Sequence, residues 1–166
     1  MRVLIGSSTS DLLKINEDLY KMELFSRKMF GDCEIRKNPQ MTSMFFKNYL
    51  KNIQTNESVF IYISCHGNNN YLNLENGTMK GTEILNIIKQ LNYCKIILWT
   101  DACHFDSILK NQNISTKCEI YHITSSNLDT QAIQSSVRSA VFTHEMVRRI
   151  LLYNYNYTIN ISIIIM

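Results

Sequence analysis

Three stretches of near-continuous β-branched and aromatic residues, each halted by polar or reactive ones, constrain this chain more than any other feature. Ser58 to Cys65 (SVFIYISC) stops at His66-Gly67 and the polar run Asn68-Asn69-Asn70. Lys95 to Thr100 (KIILWT) stops at Asp101-Ala102-Cys103, and Cys118 to Thr124 (CEIYHIT) stops at Ser125-Ser126. Runs of this kind fit strands covered on both faces, as in a mostly parallel sheet. Arg2 to Gly6 reads as a shorter buried strand, followed by a polar, turn-like Ser7 to Asp11. Helical spacing appears from Ile15 through Leu19, Met22 and Met29, closing near Gly31. It appears again after Thr42, with Phe45, Tyr49 and Ile53 on one face. Thr82 to Leu91 and Ala140 to Tyr153 read as further helices. Tyr71 to Gly77 alternates and ends in Asn-Gly, a hairpin signal. Strands alternating with helices predict a layered α/β domain. The reactive residues fall just after the carboxyl ends of buried strands, where open α/β sheets bind ligands.

With 166 residues the chain reads as one domain. A domain of this size buries roughly two thirds of its unfolded surface and needs neither disulfide nor metal to fold. We expect the domain over 1–153 and a tail over 154–166, either an added edge strand or an interaction segment. The apolar run of that tail is too short and interrupted to span a bilayer. Net charge is +3, and no basic run of five or more occurs, which argues against a nucleic-acid partner. Arg36-Lys37 and Arg148-Arg149 read as solvated surface. The cysteines number five, without any CxxC spacing. The N-terminus shows no basic region leading into a long apolar stretch, so the expectation is a cytoplasmic, reducing setting, free thiols, no membrane partner and a monomer.

A thiol becomes a useful nucleophile when a histidine or a helix N-terminus favours its thiolate. Peptide cleavage also needs a proton donor for the leaving amine and N–H groups aimed at the developing oxyanion. Cys103 follows a strand and precedes an expected helix from Phe105 onward, whose terminal N–H groups could act on it. His66 closes what could be the neighbouring strand, and Gly67 allows close approach to the backbone. The plainer reading is a structural thiol and a loop histidine, and the residues alone leave both open.

A family resemblance weighs on that choice. Val59 to Gly67 (VFIYISCHG) resembles the His-bearing strand of caspases and metacaspases, and Ile96 to His104 (IILWTDACH) resembles the Cys-bearing strand of metacaspases. Leu12 to Asp18 (LLKINED) and Ala140 to Thr143 (AVFT) are similar to two outer metacaspase segments, in the right order. The resemblance implies a caspase-like three-layer α/β/α sandwich with a mostly parallel central sheet (clan CD, peptidase C14 type). It implies a cysteine endopeptidase with Cys103 as nucleophile, His66 as general acid and base, and the N–H groups of Gly67 and Cys103 as oxyanion hole. It places Asp18, Ser64 and Asp101 in the first specificity pocket. Two carboxylates there favour a cationic side chain, so the expected partner is a peptide or protein substrate cut after Arg or Lys.

The chain departs from the pattern in places. Cys65 stands where glycine is usual, and Phe105-Asp106 where Ser-Gly is common. The interval from His66 to Cys103 is shorter than in typical metacaspases. Between Gly67 and Thr100 the only acids are Glu75 and Glu83, a poor donor set for calcium. No cofactor or metal is expected. A caspase-fold binding or regulatory module without activity is the main alternative. A metal site of Cys65, His66, Cys103 and His104 is a remote one, because adjacent ligands give poor tetrahedral geometry. His122 and His144 have no evident task. Lys110 and Lys117 lie in a polar connection where caspase-like enzymes are often cut.

Overall fold

The computed structural model describes residues 1–8, 12–109, 115–126, 129 and 141–152, and, among these, leaves the side chains of 12–15, 141–142 and 151–152 undescribed. Along the chain run β1 (Arg2–Ser8), α1 (Leu12–Phe30), β2 (Glu34–Asn38), α2 (Ser43–Lys51), β3 (Ser58–Asn68), β4 (Tyr71–Leu74), β5 (Gly77–Lys80), α3 (Gly81–Ile88), β6 (Lys95–Asp101), β7 (Glu119–Thr124) and α4 (Val141–Leu152). The unbroken apolar runs become β1, β3 and β6, which lie side by side and are buried on both faces. With β2 outside β1 and β7 outside β6, they make a five-stranded parallel sheet in the order β2-β1-β3-β6-β7.

The alternation of side chains along each strand sorts the core into two layers. Val3, Ile5, Phe60, Tyr62, Ile97 and Trp99 face Leu19, Met22 and Phe25 of α1 and Val147 of α4. Leu4, Val59, Ile61, Ile63, Ile96 and Leu98 face Phe46 and Leu50 of α2 and Ile84 and Ile88 of α3. The fold is therefore the expected α/β/α sandwich. The hairpin is also present. β4 and β5 pair antiparallel around Glu75-Asn76, with Leu74 opposite Gly77, and Gly77 takes the positive φ of 141° that the turn demands. Gly31 closes α1 at φ 64°, donating its N–H to Arg27 O at 3.0 Å.

β2 was not legible, because EIRKN offers only Ile35 as an apolar residue. It is an edge strand, and charged side chains there keep other chains from pairing with it. The expected tail at 154–166 and the Lys110 site lie outside the described residues.

The expectation of free thiols needs correction. Cys33, Cys65 and Cys103 are free, but Cys94 and Cys118 form a disulfide. They sit just before Lys95 and Glu119, which are register partners at the start of β6 and β7, so their Cα atoms lie 4.6 Å apart. With two of the five cysteines paired, free thiols no longer argue for the reducing setting expected from the sequence. It closes a loop with a sequence separation of 24. Reduction should lower the unfolding free energy by about 3 kcal/mol, read as a shift of the denaturant midpoint with and without reductant. An unchanged midpoint would show that the bond carries no stability.

Candidate active site

β3 and β6 run in parallel register as far as Ser64 opposite Asp101. There they part. β3 continues against β4, with His66 opposite Asn73 and Gly67 opposite Leu72, while β6 ends and the chain turns at Cys103-His104. The two tips nevertheless converge. A Cβ on Gly67 would lie far inside van der Waals contact with the Cys103 carbonyl oxygen and 3.1 Å from the Ala102 Cβ. His66 is exposed and Cys103 half-buried, so the two residues expected to carry chemistry emerge at adjoining strand ends. Cys65 is different. Burial pushes its thiol well above the usual range, and neighbouring charge on Asp101 and Cys103 adds to this. A thiol held protonated is not a nucleophile at neutral pH, which fits Cys65 as packing.

No helix begins at Phe105. Residues 105–109 form irregular, tightly bonded chain, so among the described residues no helix N-terminus follows Cys103, and the helix end that Asp101 meets is the first turn of α4, at Thr143. The turn is instead held from β7 and the residues after it. The Ser126 hydroxyl donates to Ala102 O and accepts from Phe105 N–H at 3.3 Å. The Thr124 hydroxyl donates to Phe105 O at 2.7 Å. His122, buried beneath, accepts the Ile108 N–H at Nδ1 at 3.0 Å. A backbone N–H can only donate, so the ring proton is on Nε2 and donates to Thr100 Oγ1 at 2.9 Å. His104 holds φ at 48°, a conformation that costs a non-glycine residue roughly 1 kcal/mol or more.

Asp18, Ser64 and Asp101 come to the same end of one face. Asp101 and Ser64 share register and side with Tyr62 and Trp99, the side covered by α1, which carries Asp18. Asp18 is 3% exposed and Asp101 6%, so both carboxyl groups lie inside the fold. Burial raises the Asp101 carboxyl, opposed by a hydrogen bond donated by the Thr143 hydroxyl of α4. Tyr62, fully buried, is pushed well above its ordinary range, first by burial and then by the negative charge of Asp101 and Asp18. Both carboxylates therefore act on one phenol. Thr143 and Tyr62 were not singled out as site residues, although Thr143 closes the AVFT segment.

The remaining sequence candidates sit elsewhere. His144 accepts at Nδ1 from Lys21 Nζ at 2.9 Å. Arg148 and Arg149 are exposed and both pair with Glu145, at 2.8 and 2.7 Å. Lys117 is exposed and donates to Asn92 Oδ1 at 3.1 Å. A shallow cavity of about 690 Å³, lined by Arg2, Cys33, Glu34 and Glu57 among others, opens at the opposite end of the strands and has no part in this site.

The parallel sheet with the His- and Cys-bearing turns at its carboxyl edge is the architecture of the caspase-like (clan CD) cysteine peptidases. The crystal structure of caspase-1 from Spodoptera frugiperda is similar to this chain with a TM-score of 0.66 at 9% identity, over 92% of this chain and 68% of that one. The chain belongs to the peptidase C13 family, whose family model matches residues 35–143. That span includes His66, Gly67, Asp101 and Cys103 and leaves Asp18 outside. The motif resemblance pointed to the metacaspase-type C14 group; what the comparisons share with it is the caspase-like class. No curated protein matches the sequence.

Proposed function

We propose that the chain is a cysteine endopeptidase in which Cys103 attacks the scissile carbonyl and His66 shuttles the proton. The observation that carries this reading is the packing of Gly67 against the Cys103 carbonyl. It brings the residue next to the imidazole against the residue that bears the sulfur. His66 would take the thiol proton and return it to the leaving amine, with the N–H groups of Gly67 and Cys103 facing the oxyanion.

We further propose cleavage after Arg or Lys, the metacaspase-like preference. Its support is the gathering of Asp18, Ser64 and Asp101 at one end of one face. Burial makes the ionised form of Asp101 unfavourable, and a cationic side chain entering beside two carboxylates would relieve that penalty.

The test is turnover of fluorogenic Arg, Lys and Asp peptides, with and without calcium, by the wild type, Cys103→Ala and Asp101→Asn. Cys103→Ala should lose turnover. Asp101→Asn keeps an acceptor for Thr143 and should lose about 10- to 100-fold in kcat/KM on Arg and Lys peptides, the worth of one charged hydrogen bond. It should also be the more stable protein at neutral pH, since a carboxyl with a raised pKa contributes stability only below that pKa. Turnover of Asp peptides alone would overturn the pocket, and an active Cys103→Ala would remove the nucleophile. No turnover at all would favour the binding-module reading.

A further inference from the structure

β3 and β6 stop being hydrogen-bonded partners after Ser64 and Asp101, so the sheet ladder does not fix where His66 stands relative to Cys103. Something beyond the sheet must do so. Asn70 is placed for it. Its backbone N–H donates to His104 O at 2.9 Å, and its side-chain Oδ1 accepts from Asp106 N–H at 3.2 Å. Its own carbonyl accepts from Gly81 N–H at 3.0 Å, which anchors it to the start of α3. A single residue at the end of the His66 turn thus grips the chain on the far side of Cys103 at two points. To reach them the backbone runs through φ values of 47° at Asn69 and 63° at Asn70, a region where asparagine is enriched among non-glycine residues. Gly81 leaves room for the amide, since a Cβ there would lie 3.1 Å from Asn70 Nδ2.

We propose that Asn70 is a positioning residue, which holds the His66 turn and the Cys103 turn in the relative placement that the reaction needs. The proposal rests on the peptidase reading above. It acts through geometry and touches no substrate. Misplacement of reacting groups by about 1 Å can cost roughly 100-fold in rate, so loosening one of two grips should cost on the order of tenfold.

Asn70→Gly is the informative variant, because glycine accepts the same φ without strain and removes only the side-chain bond. Asn70→Asp keeps the acceptor and serves as the conservative control. Both are measured for kcat and KM on Arg and Lys peptides, for the pH dependence of Cys103 alkylation by iodoacetamide, and for thermal midpoint. Asn70→Gly should show kcat about tenfold lower with KM within about twofold, and its alkylation profile should move to higher pH as the imidazole drifts from the sulfur. Asn70→Asp should recover most of both. Wild-type kcat and a wild-type alkylation profile in Asn70→Gly would overturn the role of Asn70 and leave the peptidase reading standing. A wild-type chain whose Cys103 alkylates only as an ordinary thiol would overturn both together.

Discussion

Gly67→Ala is expected to abolish turnover, with kcat at least about 100-fold lower. The new methyl group would meet the Cys103 carbonyl oxygen well inside contact distance and the Ala102 Cβ at 3.1 Å. Neither atom belongs to a flexible side chain that could swing aside. Cys103 is tied on both sides, by Ser126 and Thr124 through Ala102 and Phe105 and by Asn70 through His104. The Gly67 strand is tied to β4. Relief of the clash must therefore push the His66 and Cys103 turns apart. Gly31→Ala is the matched control. Gly31 has φ 64° and nothing within 4 Å of an added Cβ, so it should lose roughly 1 kcal/mol of stability through backbone strain and keep its activity. Peptide turnover with thermal melts of both variants separates the two effects. Activity of Gly67→Ala within tenfold of wild type would mean that the two tips are not held as described.

The second large effect concerns acid. Burial drives the His122 imidazole down to about 3, against only a weak opposing pull from Asp106. The unfolded chain has the ordinary value near 6.5. With the folded value below the unfolded one, the unfolded state binds more protons between the two. The stability that the neutral ring contributes is present above about pH 6.5 and is lost as pH falls from there towards 3. Integrated over that window the loss is on the order of 4 kcal/mol. Asp101 works in the opposite sense, because its raised carboxyl favours the folded state when protonated. The surface carboxylates Glu23, Glu119 and Glu145, held low chiefly by hydrogen bonds from Lys37, Tyr121 and Arg148 respectively, also lose their partners in acid. These contributions are common to wild type and His122→Gln and cancel in their difference. Denaturant melts from pH 7 to pH 4 should show wild type losing one more proton's worth of slope than His122→Gln. Equal slopes would mean that the ring does not titrate with unfolding. Because the folded ring stays neutral until near pH 3, Nδ1 keeps accepting from Ile108, just beyond the Cys103 turn, for as long as the fold lasts.

The layers of the sandwich were legible because burial on both faces leaves an uninterrupted apolar run, as in β3 and β6. The edge strand β2 was not, since one exposed side needs no apolar residues. The chain after Cys103 misled for a related reason. Phe105 and Ile108 have the spacing of a helix face, yet both are buried singly, 0% and 4% exposed, as pegs that anchor irregular chain in the core. The Cys94–Cys118 bond could be derived only once β6 and β7 were known to start side by side. Of the site, the strand-end residues were readable because each halts an apolar run. Asp18 and Asp101 were placed by resemblance, and their burial had no signal of its own. Asn70, Thr143, Ser126 and the tautomer of His122 depend on contacts across the sequence, which no local pattern encodes. The one hint was His122 itself, a polar residue inside CEIYHIT.

The disulfide brackets the connection that runs from β6 to β7, with Lys110 and Lys117 both inside the bracket. Scission of any peptide bond there would leave the two pieces tethered through sulfur as well as through the parallel pairing of β6 with β7. A nicked molecule would travel as one particle and differ from the uncut one only by the mass of a water. The pieces would separate only after reduction and denaturation together, and the outer strand would stay in place while the backbone beside it gained two new ends.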